Sequence, residues 1–335
     1  MASFEITPQH CHDLGIDAPP RFKPQEEARV VDWLSAVLSP ALRKRIGCYR
    51  ETAAQREYEN LAEHIAEYTE IGDRSDWTAW TEGHALNVKP LNVTAQARDL
   101  FARGKYVVML SATILDFATF QRTLGIPDSV QLFSAPSDFP LANRPIIFMP
   151  AGDMSRSTIE ATIPKLCRLA AQIVAEFNEC KGIIHTHSYD LNQQVFSYLR
   201  ARFGSRIITH GRDKGNRDEA IEQHRASEDA SVLVSPSLTE GVDMKDDLAR
   251  FQIVCKVPYP RLDTYTCERK KRDQHWYQLQ TAHSLMQMIG RCVRSKEDHA
   301  TTFVLDSQFE YFMKRNEGII PAWWRAAIQT RAKAA

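Results

Sequence analysis

The stretch GIIHTHSYDLNQQVFSYLRARFGSRIIT, residues 182–209, places two short β-rich apolar runs, Gly182–His185 and Arg206–Thr209, on either side of a helical stretch over 189–203. The alternation continues in both directions. Further runs lie at Pro145–Met149, Ser231–Val234, Phe251–Val257 and Thr301–Leu305, with helical stretches near 156–179, 216–226, 280–293 and 308–315. Short apolar strands separated by amphipathic helices belong to a parallel sheet covered on both faces. The expected fold class is α/β. Upstream, Thr94 is placed to cap a helix through Phe101 that Gly104 ends, and Tyr106–Leu110 reads as one more buried strand.

The first 70 residues follow another pattern. Pro24 stands where a first helical residue is favoured, with Glu26 and Glu27 at the positive end of the coming dipole. Val30, Val31, Trp33, Leu34, Val37 and Leu38 follow at helical spacing, and Leu42, Ile46, Tyr58, Leu61, Ile65 and Tyr68 continue the pattern as inward positions, so this block reads as all-α.

A length of 335 residues suits two domains, or one with an appendage. With 43% hydrophobic and 25% charged residues the composition is that of a globular protein. The balance of 42 basic against 42 acidic residues excludes histone-like and acidic-tail proteins. It leaves a nucleic-acid ligand open, because clustering matters more than net charge. No apolar run approaches the ~20 residues of a membrane span. The start MASFEITPQHCHD lacks the basic and apolar regions of a signal peptide. Seven scattered cysteines without a CxxC pair fit reduced thiols, and the expected location is cytoplasmic.

Four segments could carry chemistry. In Gln287-Met-Ile-Gly-Arg-Cys-Val-Arg294, helical spacing puts Gln287, Arg291 and Arg294 within roughly 60° of one another. Gly290 removes bulk beside them. Two guanidinium forks and an amide suit a polyphosphate, whereas a surface pair of arginines in salt bridges fits the same letters. In Ser231–Asp243 a buried strand runs into a turn bearing Thr239, Glu240, Gly241 and Asp243. That turn would lie outside the carboxyl end of the strand, where ligands of open sheets bind, or be a plain strand exit. VVMLSAT (107–113) and GIIHTHSY (182–189) are strands ending in hydroxylic groups. Ser188 and Tyr189 can meet phosphate or base, and a helix cap by Ser188 explains its presence equally.

Taken in order, these segments resemble motifs III (VVMLSATI), IV (GIIHTHSY), V (VLVSPSLTEGVDM) and VI (QMIGRCVR, as Q-x-x-G-R-x-x-R) of superfamily-two helicases. The forms SATI, THSY and EGVD, with Lys256-Val-Pro-Tyr-Pro-Arg-Leu-Asp263 and Phe303-Val-Leu-Asp306, are similar to the DinG/XPD-type, iron–sulfur branch of DNA helicases. The resemblance spans residues 90–315. It implies a helical arch-like segment over 1–90, a remnant of a first RecA-like domain with motif III and a linker over 91–134, and a second RecA-like domain, the helicase C-terminal domain, over 135–335. It further implies an ATP-dependent helicase or translocase on single-stranded DNA. Arg291 and Arg294 would then be arginine fingers, with Gln287 beside the hydrolytic water. Glu240, Gly241, Asp243 and Gly290 would serve the nucleotide, and Ser111, Thr113, Ser188, Tyr189 and Thr239 the DNA track.

The sequence also departs from that pattern. No G-x-x-x-x-G-K-[ST] occurs, so the Walker A cradle for phosphate is missing. Asp218-Glu-Ala-Ile221 mimics a DEAH box but follows polar Lys214-Gly-Asn-Arg217 rather than an apolar strand. The four clustered cysteines of an iron–sulfur site are absent, and His185 and His187 replace apolar or hydroxylic residues. ATP and Mg²⁺ are therefore expected in a shared site completed by a separate polypeptide bearing Walker A and DEAH, with no iron–sulfur cluster here. An adaptor that binds nucleic acid or regulates a helicase, without catalysis, is the alternative. Arg269-Lys-Lys-Arg272 is a basic patch suited to DNA phosphates or to solvent, and Arg43-Lys-Arg45 reads as solvent-facing. His10-Cys-His12, and Cys180 with His185 and His187, lack four-ligand spacing, so no metal site is expected. Trp323-Trp324 reads as packing against the second domain.

Overall fold

The computed structural model describes residues 3–47, 53–127, 129–238 and 243–330. The chain divides into two units, residues 1–110, 117–131 and 260–277, and residues 111–116, 132–259 and 278–335.

In the first unit β1 (Phe4–Ile6), α1 (Pro8–Leu14), α2 (Glu27–Trp33), α3 (Ser39–Ile46), α4 (Ala53–Glu70), β2 (Trp77–Glu82), β3 (Ala85–Pro90), α5 (Thr94–Phe101) and α6 (Phe117–Leu124) follow in order. Of the positions at helical spacing, Val30, Leu34, Leu38, Leu42, Tyr58, Leu61, Ile65 and Tyr68 share one core, Val31, Trp33 and Ile46 pack half-buried against it, and Val37 is exposed. Pro40, at the start of α3, lacks an N–H and crowds the carbonyl four residues back. The preceding turn, Leu34–Leu38, accordingly widens to a π-helix. Against the all-α reading, an antiparallel sheet in the order β1-β3-β2 covers this core. Its hairpin turns on Gly83 and His84, at φ 56° and 68°, the two left-handed residues that a two-residue hairpin loop requires. At α5, Asn92 Oδ1 accepts the Thr94 N–H at 3.0 Å, so the cap comes from Asn92. Tyr106–Leu110 forms no strand, and Tyr106, Val108 and Leu110 are 80–90% exposed. A strand needs a neighbour for its backbone groups, and none pairs with this run among the described residues.

In the second unit β4 (Ile146–Gly152), α7 (Ile159–Glu176), β5 (Gly182–His185), α8 (Tyr189–Phe203), β6 (Ile207–Thr209), α9 (Lys214–Ala226), β7 (Val232–Ser235) and β8 (Phe251–Val254) follow. The chain returns to the first unit for α10 (Thr264–Arg272). It then continues through α11 (Gln274–Ile289), β9 (Thr301–Asp306), α12 (Gln308–Arg315), α13 (Ala322–Arg325) and β10 (Ile328–Thr330). The strands form a seven-stranded sheet among the described residues, in the order β10-β4-β9-β8-β5-β7-β6. Every pairing is parallel. Alternate side chains face opposite cores. Ile184, Val232, Val234, Ile253 and Phe303 meet α7 and α8. Val254 and Val304 meet α11 and α12, and Ile183 and Leu233 meet α9. The Asp218–Ile221 lookalike lies inside α9, as expected of a coincidence.

At the carboxyl ends of the strands, Asp306 accepts backbone N–H groups from Met154, Val257 and Gln308 at 3.2, 2.9 and 3.0 Å. Burial nevertheless holds its carboxyl above the ordinary range. At the other edge Ile146, Thr302 and Gln252 stand side by side at the amino ends of β4, β9 and β8.

Candidate functional site

A cavity of about 730 Å³ opens along that amino edge, within the second unit. Six residues singled out in the sequence line it: Thr113, Asp243, Gln287, Gly290, Arg291 and Arg294. They do not share one helical stripe. α11 stops at Ile289, and the chain turns through Gly290, where a Cβ would stand 3.1 Å from the Met286 carbonyl. The physical reason lies in the two cores: Met286 and Ile289 pack with α12 and α13, whereas Cys292 and Val293 are buried with α9 and Ala300. A continuous helix could not serve both. Arg291 and Arg294 therefore reach the cavity from a loop, Arg291 nearly buried at 5% exposure and Arg294 open to solvent.

Gln287 Nε2 donates to Thr113 Oγ1 at 3.0 Å, and the Thr113 N–H reaches Ser111 Oγ at 3.2 Å. The SAT segment is thereby fixed beside α11. Arg294 Nε donates to Asp243 Oδ1 at 3.1 Å, with both side chains about half exposed. An exposed pair of this kind contributes at most ~1 kcal/mol, so an arriving phosphate can displace the carboxylate. Beneath it Asp298, fully buried, joins both loops. Its Oδ2 accepts the N–H groups of Arg294 and Asp246 at 3.2 Å each, and its Oδ1 takes Arg250 Nη1 at 2.8 Å. Gln252 spans the floor, donating to the Ile289 carbonyl at 2.7 Å and to Thr302 Oγ1 at 2.9 Å. Asp243 thus stands not outside the carboxyl ends of the strands but on the return path to their amino ends. The four-residue segment before it, with the expected sites Glu240 and Gly241 and the DNA-track residue Thr239, lies outside the described residues.

Chemically, the cavity brings the Arg291 and Arg294 guanidinium groups, the Gln287 amide and the Thr113 hydroxyl to one space, a donor set for phosphate oxygens, with Arg144 also in its wall. Residues 172–327 match the helicase C-terminal domain family. The chain carries a helicase C-terminal domain. The sequence is 30% identical over 148 residues to the regulator of telomere elongation helicase 1 of Mus musculus, covering 37% of this chain and 12% of that protein. It is 22% identical over 272 residues to a probable ATP-dependent helicase of Methanocaldococcus jannaschii, covering 72% and 40%. The fold is similar to that of Xpd4 from S. tokodaii, with a TM-score of 0.58 and 16% identity over 99% of this chain and 61% of that one. The chain spans less than half the length of these curated relatives. The likeness to the C-terminal part of XPD-type helicases, drawn from four motifs, holds.

Two residues expected on a DNA track, Ser188 and Tyr189, lie at the opposite edge of the sheet. Ser188 caps α8, its Oγ accepting the Leu191 N–H at 3.3 Å. Tyr189 lies under the guanidinium of Arg212, 4.7 Å from the ring centroid, and edge-on to His210 at 6.4 Å. Arg212 is exposed, and sequence reasoning passed over it because Gly211-Arg212 is an unremarkable loop dipeptide. Ser111 is exposed as well, apart from this group. The two unexpected histidines are structural. His185 Nε2 lies 3.2 Å from Gln252 Oε1, and burial pulls its imidazole down to about 4. His187 Nε2 lies 3.1 Å from the Tyr259 carbonyl, and burial lowers its basicity too. Trp324 is buried against α12 and Trp323 packs half-buried against the same core, as expected, and both line the cavity. Among the described residues no group of three or more His, Cys, Asp or Glu could hold a metal, and no helix is long and apolar enough to cross a membrane.

Proposed function

We propose that this chain is the C-terminal half of an ATP-dependent DNA helicase or translocase, presenting Arg291 and Arg294 to the terminal phosphates of ATP with Gln287 beside the attacking water. The observation that carries this reading is the convergence of Thr113, Asp243, Gln287, Gly290, Arg291 and Arg294 on one cavity, although they are scattered over 182 positions (294 − 113 + 1). The donor set fits phosphate oxygens. It does not fit Mg²⁺: the described carboxylate in the cavity wall is Asp243, which Arg294 already engages. Mg²⁺ and the β/γ-phosphate cradle are accordingly supplied from outside these 335 residues, by a polypeptide bearing Walker A and DEAH. Arginine forks then meet charge that develops on the transferring phosphoryl group, a contribution of about 10³–10⁵ in rate where such arginines are known.

On this reading single-stranded DNA runs past Ser188, Tyr189 and Arg212 at the carboxyl edge of the sheet, with Ser111 and Thr113 passing nucleotide state toward it. The exposed run Tyr106–Leu110 pairs as a strand in the sheet of the completing domain, which covers its apolar side chains. Reconstitution with a first-domain polypeptide carrying Walker A tests the assignment. DNA-stimulated ATPase should appear only in the mixture, and Arg291→Ala should reduce its kcat at least a hundredfold. Strong turnover by this chain alone, or an Arg291→Ala mixture as active as the parent, contradicts it.

A further inference from the structure

The cavity is larger and less polar than a triphosphate site requires. Its wall also holds the apolar side chains of Phe139, Ile146, Met286 and Trp323. Into this apolar part comes one more cation, Arg144. Its Nε donates to the Phe139 carbonyl at 3.2 Å, its Nη2 donates to the Trp323 carbonyl at 3.1 Å, and its guanidinium lies over the Trp323 ring, 5.3 Å from the centroid. No carboxylate pairs with it among the described residues. A half-buried guanidinium fixed by carbonyls and stacked on an indole is a rigid, flat, cationic platform.

Strand register sets its distance from the arginine fingers. Arg144 precedes Ile146 at the amino end of β4, and Trp323 lies on the approach to β10, the next strand outward. Gln252 of β8 holds the Ile289 carbonyl, immediately before Gly290 and Arg291. The order β10-β4-β9-β8 therefore separates the platform from Arg291 by two to three strand spacings, about 10–14 Å. An extended nucleoside triphosphate separates its base from its terminal phosphate by a span of that order.

We propose that Arg144 and Trp323 receive the base of the nucleotide whose terminal phosphates face Arg291 and Arg294. This rests on the nucleotide reading above and adds the ligand class to it: the cavity selects a nucleoside triphosphate over a bare polyphosphate. Base stacking on an aromatic group is worth about 1–3 kcal/mol, which is tenfold or more in affinity.

The test is equilibrium titration of the full chain, mixed with the first-domain polypeptide that completes the site, with ATP and, separately, with inorganic tripolyphosphate, by ligand-observed NMR up to millimolar concentration. ATP should bind about tenfold more tightly than tripolyphosphate. Trp323→Leu and Arg144→Lys should bring the two affinities together without changing that for tripolyphosphate, Trp323→Phe should keep most of the preference, and Arg291→Ala should weaken both ligands. Equal affinities in the parent chain, or a preference unchanged in Trp323→Leu, overturn the base platform and leave the phosphate site standing. Absence of binding by both ligands overturns the phosphate site and the platform with it.

Discussion

Replacing Asp298 should loosen the loop junction under Arg294 before anything else in the domain. The carboxylate is fully buried and makes four contacts: Arg250 Nη1 at 2.8 Å, the N–H groups of Arg294 and Asp246 at 3.2 Å each, and the His299 N–H at 2.9 Å. Breaking a buried ion pair by removing one partner costs about 3–5 kcal/mol, and an orphaned buried N–H about 1–3 kcal/mol. Arg250 is not stranded, since Asp247 at 2.8 Å and the His299 carbonyl at 3.0 Å remain, and 18% of its side chain is exposed. Asp298→Ala should therefore cost about 3–4 kcal/mol. Asp298→Asn, whose amide oxygen can still accept the two N–H groups, should cost about 1–2 kcal/mol. Urea unfolding followed by near-ultraviolet circular dichroism measures both, and hydrogen exchange at the Asp246 and Arg294 amides locates the loss. An alanine variant within 1 kcal/mol of the parent, with those two amides still protected, would refute the bracing role.

Stability should fall between pH 6.5 and 4. His185 and His224 are buried neutral with values near 4 in the fold, so the unfolded chain, at about 6.5, binds more protons in that window. Each imidazole then removes about 1.4 kcal/mol per pH unit, with no effect above 6.5 and a plateau below 4; urea midpoints unchanged between pH 6.5 and 4.5 would contradict this. Gly182→Ala should destabilise by about 2–3 kcal/mol, because the added Cβ would stand 2.3 Å from the ring of Phe251, which is fully buried and cannot swing away. Thermal unfolding checks it. Arg212→Ala should weaken binding of single-stranded DNA and lower the salt slope by about one ion, whereas Tyr189→Ala should weaken binding with the slope unchanged; fluorescence anisotropy across a salt series separates the two.

The alternation that defines the sheet was legible because β5, α8 and β6 each declare their own period. Helix 308–315 appears at the expected bounds for the same reason, and helix 94–101 ends where expected, although Asn92 rather than Thr94 caps it. The periodicity of Gln287–Arg294 misled, because its letters continue a helix that tertiary packing ends at Ile289. The β2–β3 hairpin escaped notice for two reasons. Trp77–Trp80 is buried on both faces and shows no alternation, and its turn is Gly-His rather than Asn-Gly. Arg144, Arg212 and Asp298 give no local signal at all. Their roles come from contacts such as Arg144 with Trp323, 179 residues apart, or Asp298 with Arg250, 48 apart.

Gln287 and Arg291 look out from the amino edge of the sheet, Tyr189 and Arg212 from the carboxyl edge, with the fully buried four-residue strand β5 in between. At about 3.3 Å per residue this leaves roughly 13 Å of close-packed interior that neither ligand enters. Substitutions at the two rims share no partner, so their effects on folding should sum as independent increments. On the proposed reading, cross-talk between phosphate and DNA would arrive as tilting of the whole slab against the body that completes it.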